Sequence, residues 1–269
     1  MATPLRYKLW ALILYLPCIV SAETVRLATV DWPPFFGEQL PKGGFVTEIA
    51  RQAFKREGHH MDLVFIPWKR AMYSAQKGDH HGLFGCWINS EVQGLFDVSR
   101  EIMASGDGHF LALEGSNNSN LRPEDLIGKR IGIVRGYAVS ETLGALFDSG
   151  KVIRVEVSRI KQLLDMIQWP DRIDLMLENA LVARHVFQHH YPYRSYNLEV
   201  VGKDYVDGGL YICWSKNNAK SKNFRITFDR AIAAMRQDGT LDRIRAEFNI
   251  HNQITKPPAS PLRPINYSE

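Results

Sequence analysis

Cysteine is scarce in this chain, and long runs of one charge are missing from it. Three cysteines occur among 269 residues, too few for the disulfide frameworks that hold small secreted domains together. No long basic run is present, so the sequence carries no footprint of nucleic-acid binding. After the first 22 residues no apolar stretch approaches membrane-spanning length. We therefore expect a soluble mature chain with no nucleic-acid partner and no stable membrane insertion.

The first residues are arranged like a secretory signal. Arg6 and Lys8 precede an apolar run over residues 9–16, and small residues follow at 20–22. This order predicts a signal peptide over residues 1–22 and a periplasmic location. Its removal leaves 247 residues and lowers the formal charge from +4 to +2. That length is enough for one large domain or two small ones.

Strand and helix patterns alternate along the rest of the chain. Strands are predicted at 25–30, 61–66, 82–88 and 109–113, with helices at 45–57 and 68–77. A polar run at 115–120 interrupts the series, and a second series of alternating strands and helices follows from residue 126. This order indicates an α/β fold with mostly parallel sheets flanked by helices. The proline-rich tail, residues 251–269, is predicted to pack little or not at all.

Four short motifs resemble those of one protein family. They are an aromatic-proline loop after the first strand, a glycine-led helix start, a glycine-flanked second-lobe strand and a D-G-T-L turn, at 31–35, 44–50, 126–136 and 238–244. In this order they resemble the family-3 extracellular solute-binding proteins, the periplasmic receptors of polar amino-acid importers. The resemblance covers roughly residues 24–248.

The resemblance implies a two-lobe periplasmic binding protein fold of type II, joined by two hinge crossings. Lobe I would hold residues 23–113 and 209–250, and lobe II residues 114–208. A small polar solute, amino-acid-like or a related organic anion, would bind in the interlobe cleft, and the lobes would close on it by a hinge motion. ABC transporter membrane subunits would then receive the solute, and we expect a monomer.

Lobe I offers aromatic candidates for the site. Trp32 stands where the family places an aromatic ring against the ligand, and an indole face can also hold a cation. Phe35 follows in the same proline-fixed loop, and either ring could instead belong to the lobe core. Gly85, Trp87 and Asn89 end the third predicted strand, where the family lines its cleft.

The carboxylate clamp of the family is missing. Amino-acid binders carry an arginine shortly after this strand, because a guanidinium grips a carboxylate with two hydrogen bonds. Val92 holds its place, which argues against an ordinary α-amino acid as the ligand. Arg70, at the start of the second predicted helix, either replaces the clamp or is a solvated helix residue.

Lobe II would contribute backbone and polar groups. Gly136, Tyr137 and Ala138 precede a predicted helix, whose free N–H groups could hold an anion. The acidic residue that holds the ligand ammonium in the family falls on Asn179, with Glu178 one position earlier. Either residue could line the cleft, and the neutral Asn179 again disfavours an ordinary amino acid.

We expect no metal and no cofactor. The three adjacent histidine pairs follow predicted helices, and no Cys/His spacing supports a zinc site. Cys86 and Cys213 either pair or remain two buried thiols, the second being favoured. The resemblance would place them on neighbouring strands.

Function is predicted as non-enzymatic solute binding for an ABC importer. One alternative is a periplasmic sensor or non-transport binding protein of the same fold. A second is an enzyme similar to cyclohexadienyl dehydratases, with Glu178 as a general acid. A third is a scaffold whose cleft no longer binds a solute.

Overall fold

The computed structural model describes residues 22–105, 108–116, 118–193, 197–204 and 207–248. The predicted signal, apart from Ala22, and the tail at 251–269 lie outside these ranges. The strands are β1 Thr24–Thr29, β2 His60–Phe65, β3 Gly82–Ile88, β4 Phe96–Val98, β5 Met103–Ala104, β6 Gly108–Leu113, β7 Arg130–Val134, β8 Ile153–Val157, β9 Leu175–Glu178, β10 Leu198–Asp204 and β11 Asp207–Ser215.

Helix α2 shows how the sequence sets the helices, with buried Trp68, Ala71, Met72 and Ala75 along one face. Helix α2 ends where Gly78 adopts φ +89°, a left-handed conformation that glycine takes at low cost. The helices are α1 Phe45–Arg56, α2 Trp68–Lys77, α3 Ser90–Leu95, α4 Glu141–Asp148, α5 Ile160–Met166, α6 Ala180–His190, α7 Ser221–Gln237 and α8 Thr240–Glu247.

The first sheet has the strand order β2-β1-β3-β11-β4, and β5 pairs with β11. β1 runs parallel to both β2 and β3, whereas β11 returns antiparallel from late in the chain. Val25 and Leu27 on β1 are fully buried. Parallel strands therefore bring the carboxyl ends of β1 and β3 to the same edge of this sheet.

The second sheet has the strand order β10-β6-β9-β7-β8. Phe110 and Leu177 belong to one apolar cluster, whereas their sequence neighbours Leu111 and Met176 belong to the other. Successive strand residues point to opposite faces, so both faces of this sheet are covered. The carboxyl ends of the parallel strands β7 and β9 face the first sheet, as the contacts below establish.

The chain leaves the first sheet after β5 and joins the second sheet at β6; it leaves the second sheet after β10 and returns to the first sheet at β11. The predicted boundary at residue 113 assigned β6 to lobe I, but β6 pairs with β9 and β10 in the second sheet. The prediction was wrong because the polar run at 115–120 lies between β6 and β7, two strands of the same second sheet, and so does not separate the lobes. We use lobe I and lobe II below for the portions of the chain built on the first and second sheets.

Candidate functional site

Trp32 lies in the loop after β1, at the junction of the two lobes. Its backbone N–H donates to the Phe36 carbonyl at 2.8 Å, which closes the loop. Its ring stacks on Phe35 with 4.7 Å between ring centroids and meets Trp87 edge-on at 5.5 Å. These aromatic contacts from lobe I hold the indole, which is 5% exposed.

Gly85, in β3, lets this aromatic group close. Its φ is +76°, and a Cβ atom there would lie 2.4 Å from the Phe36 ring, so no larger residue fits. Two positions on, the half-buried Trp87 donates its indole N–H to the Ser105 hydroxyl at 2.9 Å. The end of β3 is thereby tied to the first crossing between the lobes.

Lobe II meets this aromatic group through the loop after β7. Trp68, at the start of α2, donates its indole N–H to the Gly136 carbonyl at 3.0 Å. Its ring packs edge-on against Tyr137, with 6.1 Å between ring centroids. The Tyr137 hydroxyl is buried and has no hydrogen-bond partner, and burial raises its pKa well above the ordinary value.

The start of α4 is already occupied by a carboxylate of the chain itself. Ser140 caps α4, and Asp204 accepts both the backbone N–H of Ser140, at 2.9 Å, and its hydroxyl. The Tyr137 N–H donates to the Val134 carbonyl at 3.0 Å. Gly136, Tyr137 and Ala138 precede the helix, as predicted, and an anion site on their backbone N–H groups stays a prediction.

Glu178 is the last residue of β9, and its side chain contacts lobe I. Its side-chain Oε1 accepts the Trp32 indole N–H at 3.0 Å and the Asn179 backbone N–H at 2.8 Å. The other oxygen, Oε2, is buried without a partner. Burial raises the pKa of Glu178 to about 7, and the two donated hydrogen bonds oppose this shift. The carboxyl group can therefore change its charge near neutral pH.

Asn179 has a structural part in this arrangement. Its side-chain oxygen accepts the N–H groups of Leu181 and Val182, which caps α6. Its side-chain nitrogen donates to the Ser105 carbonyl at 3.0 Å. Because its amide is engaged in this way, Glu178, and not Asn179, is the candidate acidic group of the site.

The remaining lobe I candidates, Phe35, Arg70 and Asn89, lie in three different environments. Phe35 is fully buried and packs against Phe45 in the lobe core, so its neighbour Phe36 lines the cleft. Arg70 is exposed and lines neither cleft cavity, which removes the basis for its role as a substitute clamp. Asn89 caps α3 and donates to the Val139 carbonyl of lobe II at 3.3 Å.

Two adjoining cavities lie between the lobes. The inner cavity, which we call the aromatic cage, has a volume of about 40 Å³. It is lined by Val30, Trp32, Phe36, Trp68, Gly85, Trp87, Val92, Gly136, Tyr137 and Ala138. The outer cavity, of about 190 Å³, shares Val92, Gly136, Tyr137 and Ala138 with the cage.

The two cavities differ in charge. Among the described residues that line the aromatic cage, none has a charged side chain. The outer cavity is lined by five charged residues: Lys69, Glu91, Arg135, Arg154 and Glu156. The Arg135 guanidinium and the Glu156 carboxylate already pair at 3.0 Å. Because the aromatic cage is so small, a solute larger than a few atoms must displace an indole ring or extend into the outer cavity.

Cys86 and Cys213 form a disulfide between β3 and β11. The expectation of two free buried thiols is therefore wrong. The strands are neighbours in the first sheet and both residues are buried, which brings the sulfur atoms together. The bond joins the strand that carries Gly85 and Trp87 to the strand that returns from lobe II.

The family comparison rests on most of the chain. Residues 25–251 match the family described as bacterial extracellular solute-binding proteins, family 3. The chain belongs to this family. No curated protein matches the sequence.

Solved structures share the fold of this family-3 protein. An ancestral arginine-binding protein bound to arginine is 20% identical over 83% of this chain and 97% of its own, with a TM-score of 0.66. An arginine transport system periplasmic binding protein from Legionella pneumophila is 17% identical over 84% and 100%, at 0.67. A histidine kinase sensor domain with similarity to periplasmic binding proteins is 16% identical over 87% and 98%, at 0.70.

The predicted type II two-lobe fold is thus confirmed. The first two of these similar structures are binding proteins. Within the described ranges, none of the helices combines the length and apolarity that a membrane crossing requires.

Sequence reasoning missed four residues of the site. Phe36 and Trp68 line the cage, Ser105 joins Trp87 and Asn179 to the crossing, and Asp204 fills the start of α4. The phase of α2 carried a signal for Trp68. Its buried stripe begins at Trp68 and continues at i+3, i+4 and i+7, which leaves Arg70 outside.

Proposed function

We propose that this family-3 protein is a periplasmic receptor that captures a small solute between its lobes and delivers it to an ABC importer. The observation that carries the proposal is the aromatic cage, because both lobes line it. Lobe I supplies Trp32 and Trp87, and lobe II supplies Gly136 and Tyr137. A solute held there contacts both lobes, and so favours the closed form over the open one.

The crossings provide a hinge for such closure. Ser105, in the first crossing, donates its backbone N–H and its hydroxyl to the Gly208 carbonyl at 2.6 and 2.8 Å. The same residue bonds Trp87 of lobe I and Asn179 of lobe II. Because Ser105 contacts lobe I, lobe II and the strand that returns from lobe II, a rotation of the backbone at Ser105 would move both walls of the cleft.

Binding is favoured over catalysis by the chemistry of the cage. Within the part of the chain that the structure describes, the side chains lining the cage include no carboxylate, imidazole, thiol or amine, and one hydroxyl, that of Tyr137. Nucleophilic catalysis requires a nucleophile with a base in hydrogen-bond reach. Glu178 lies behind Trp32 and is not among the residues that line the cage.

A sensor role is the second candidate, supported by the fold shared with a histidine kinase sensor domain. The two roles differ in the partner that reads the closed form. An importer reconstituted with this protein should take up the solute, whereas a sensor should alter the activity of a kinase and support no uptake.

Thermal melting with a panel of solutes tests the proposal. The panel holds alkylamines, polyamines, amino acids, opines, organic acids and prephenate-like acids. A solute present at one hundred times its Kd stabilises the folded form by about 2.7 kcal/mol. For a chain of this size that corresponds to a rise in Tm of about 5–10 °C. A panel in which no solute raises Tm contradicts the receptor function, and product formed from prephenate-like acids contradicts the non-enzymatic one.

A further inference from the structure

The aromatic cage presents rings rather than hydrogen-bond donors. The indole N–H groups of Trp32, Trp68 and Trp87 are all engaged, by Glu178, the Gly136 carbonyl and Ser105. What remains for a solute in the closed cleft is the π surface of the indoles and the unpartnered hydroxyl of Tyr137. A ring face attracts a cation through its quadrupole and offers nothing comparable to an anion.

Among the described residues that line the cage, none has a cationic side chain that could hold an anion. Val92 lines the cage where a clamping arginine would stand, and Arg70 is exposed outside it. At the start of α4 the donors of Ser140 are taken by Asp204. A solute carboxylate in the cage would therefore lose its hydration without gaining a cationic side chain.

Glu178 supplies the acceptor that a cation requires. Its Oε2 is buried and receives no hydrogen bond, and the Tyr137 hydroxyl near it is also unpartnered. A buried acceptor without a donor is costly and is a place where a bound group can add stability. The carboxyl group lies directly behind Trp32, one wall of the cage.

Resting on the receptor function above, we propose that the solute is a small alkylammonium ion that lacks a carboxylate. Its carbon chain lies against the indole faces of Trp32 and Trp87. Its ammonium group donates to the free oxygen of Glu178, and Tyr137 adds a hydroxyl to the same end of the solute. The charged outer cavity takes any part of the solute that the cage cannot hold.

The volume of the cage supports a small solute. At about 40 Å³, it is well below the roughly 150 Å³ of an apolar cavity that takes benzene. Entry of a branched four-carbon amine requires Trp32 to move from Glu178 or the chain to extend into the adjoining 190 Å³. In either case the ammonium replaces or adds to the hydrogen bond that the indole makes with Glu178.

Binding of an ammonium ion should be linked to protons. The pKa of Glu178 is raised to about 7 by burial, whereas an alkylammonium keeps its proton well above that pH. The cation selects the ionised carboxylate, so its affinity rises with pH from 6 to 8, and binding near pH 7 releases about half a proton. Titratable groups facing Glu178 are Tyr137 and, across the β6–β9 pair, the buried His109.

Matched ligands test the class of solute by calorimetry. Isobutylammonium differs from valine by the α-carboxylate alone, and isobutanol is a similarly sized solute without the charge. We expect isobutylammonium to bind at least about tenfold more tightly than valine and isobutanol. Measured at pH 7 in buffers of different ionisation enthalpy, its binding should release about half a proton.

Variants assign the effect to Glu178. Glu178→Gln should weaken isobutylammonium binding at least about tenfold and abolish proton release, because the amide cannot ionise. Glu124→Gln, which removes an exposed carboxylate of lobe II, is the matched control and should change neither. Proton release that persists in Glu178→Gln would assign the linkage to His109 and overturn the proposal.

The outcomes separate this inference from the receptor function. Valine binding as tightly as isobutylammonium overturns the inference alone. A melting panel in which only solutes other than amines raise Tm also overturns the inference, while the receptor function stands. A panel without any binding solute overturns both.

Discussion

Glu178→Gln should change how the stability of the protein depends on pH. The pKa of Glu178 is about 7 in the folded protein and 4.5 for a solvated glutamate. Between these values the folded protein keeps a proton that the unfolded chain has released. Stability therefore falls as pH rises through this window, and the contribution present below pH 4.5 is lost above pH 7.

The magnitude follows from the shift. About 2.5 pKa units at about 1.4 kcal/mol each give a loss of about 3 kcal/mol between pH 4.5 and pH 8. The amide of Glu178→Gln can still accept from Trp32 and Asn179, but it carries no charge at any pH. Between pH 4.5 and pH 8, the free energy of unfolding of the variant should therefore rise relative to that of the wild type by up to about 3 kcal/mol. Parting of the lobes at high pH would admit water to Glu178, so this value is an upper limit.

Urea denaturation at pH 5, 6, 7 and 8 measures the effect. The free energies of unfolding of wild type and Glu178→Gln should diverge steadily across the series. The curve of the exposed control Glu124→Gln should instead run parallel to the wild type. Parallel curves for wild type and Glu178→Gln would refute the buried, proton-binding state of Glu178.

Three further changes should act on stability. Replacing Cys86 and Cys213 by serine opens a loop of 127 residues and should cost about 2–5 kcal/mol, seen as a lower urea midpoint that matches reduced wild type. Gly85→Ala puts a methyl group against Phe36 at φ +76° and should cost about 2–4 kcal/mol, and a loss below 1 kcal/mol would contradict the close packing. Ser140→Ala removes the cap of α4 and should lower the free energy of unfolding by about 1 kcal/mol, whereas Ser149→Ala, at the other end of the helix, should not.

The fold could be predicted because its signals are local and repeated. Strand and helix periods, the aromatic-proline loop and the D-G-T-L turn each lie within about ten residues. The position of β6 was not accessible in the same way. Whether residues 108–113 pair with β1 or with β9 depends on partners far along the chain. The polar run at 115–120 resembles a linker between domains, although the strands before and after it belong to the same sheet.

The candidate site was predictable in part. Trp32, Trp87 and residues 136–138 line the cage, and they follow strands in the order that the motifs indicate. The sequence could not show that Phe36, and not Phe35, lines the cleft, because a loop lacks the strict alternation of a strand. The orientation of Arg70 could have been derived from the phase of α2.

Residues whose contacts lie far along the chain could not be identified from the sequence. Asp204 fills the start of α4 from 64 residues along the chain, and Glu178 reaches Trp32 across 146 residues. The disulfide likewise depends on β3 and β11 being neighbours, with a separation of 127 residues. Sequence spacing alone does not report such pairs, since the sheets that join them form only in the folded chain.

The interlobe distance tests the central claim, solute capture between the lobes, most directly. Spin labels at the exposed positions Lys55 in α1 and Asp148 in α4 report it by pulsed electron resonance. A solute that raises Tm should narrow the distance distribution to a single closed separation. A solute that raises Tm and leaves the distribution unchanged would place its binding site outside the cleft and contradict the account.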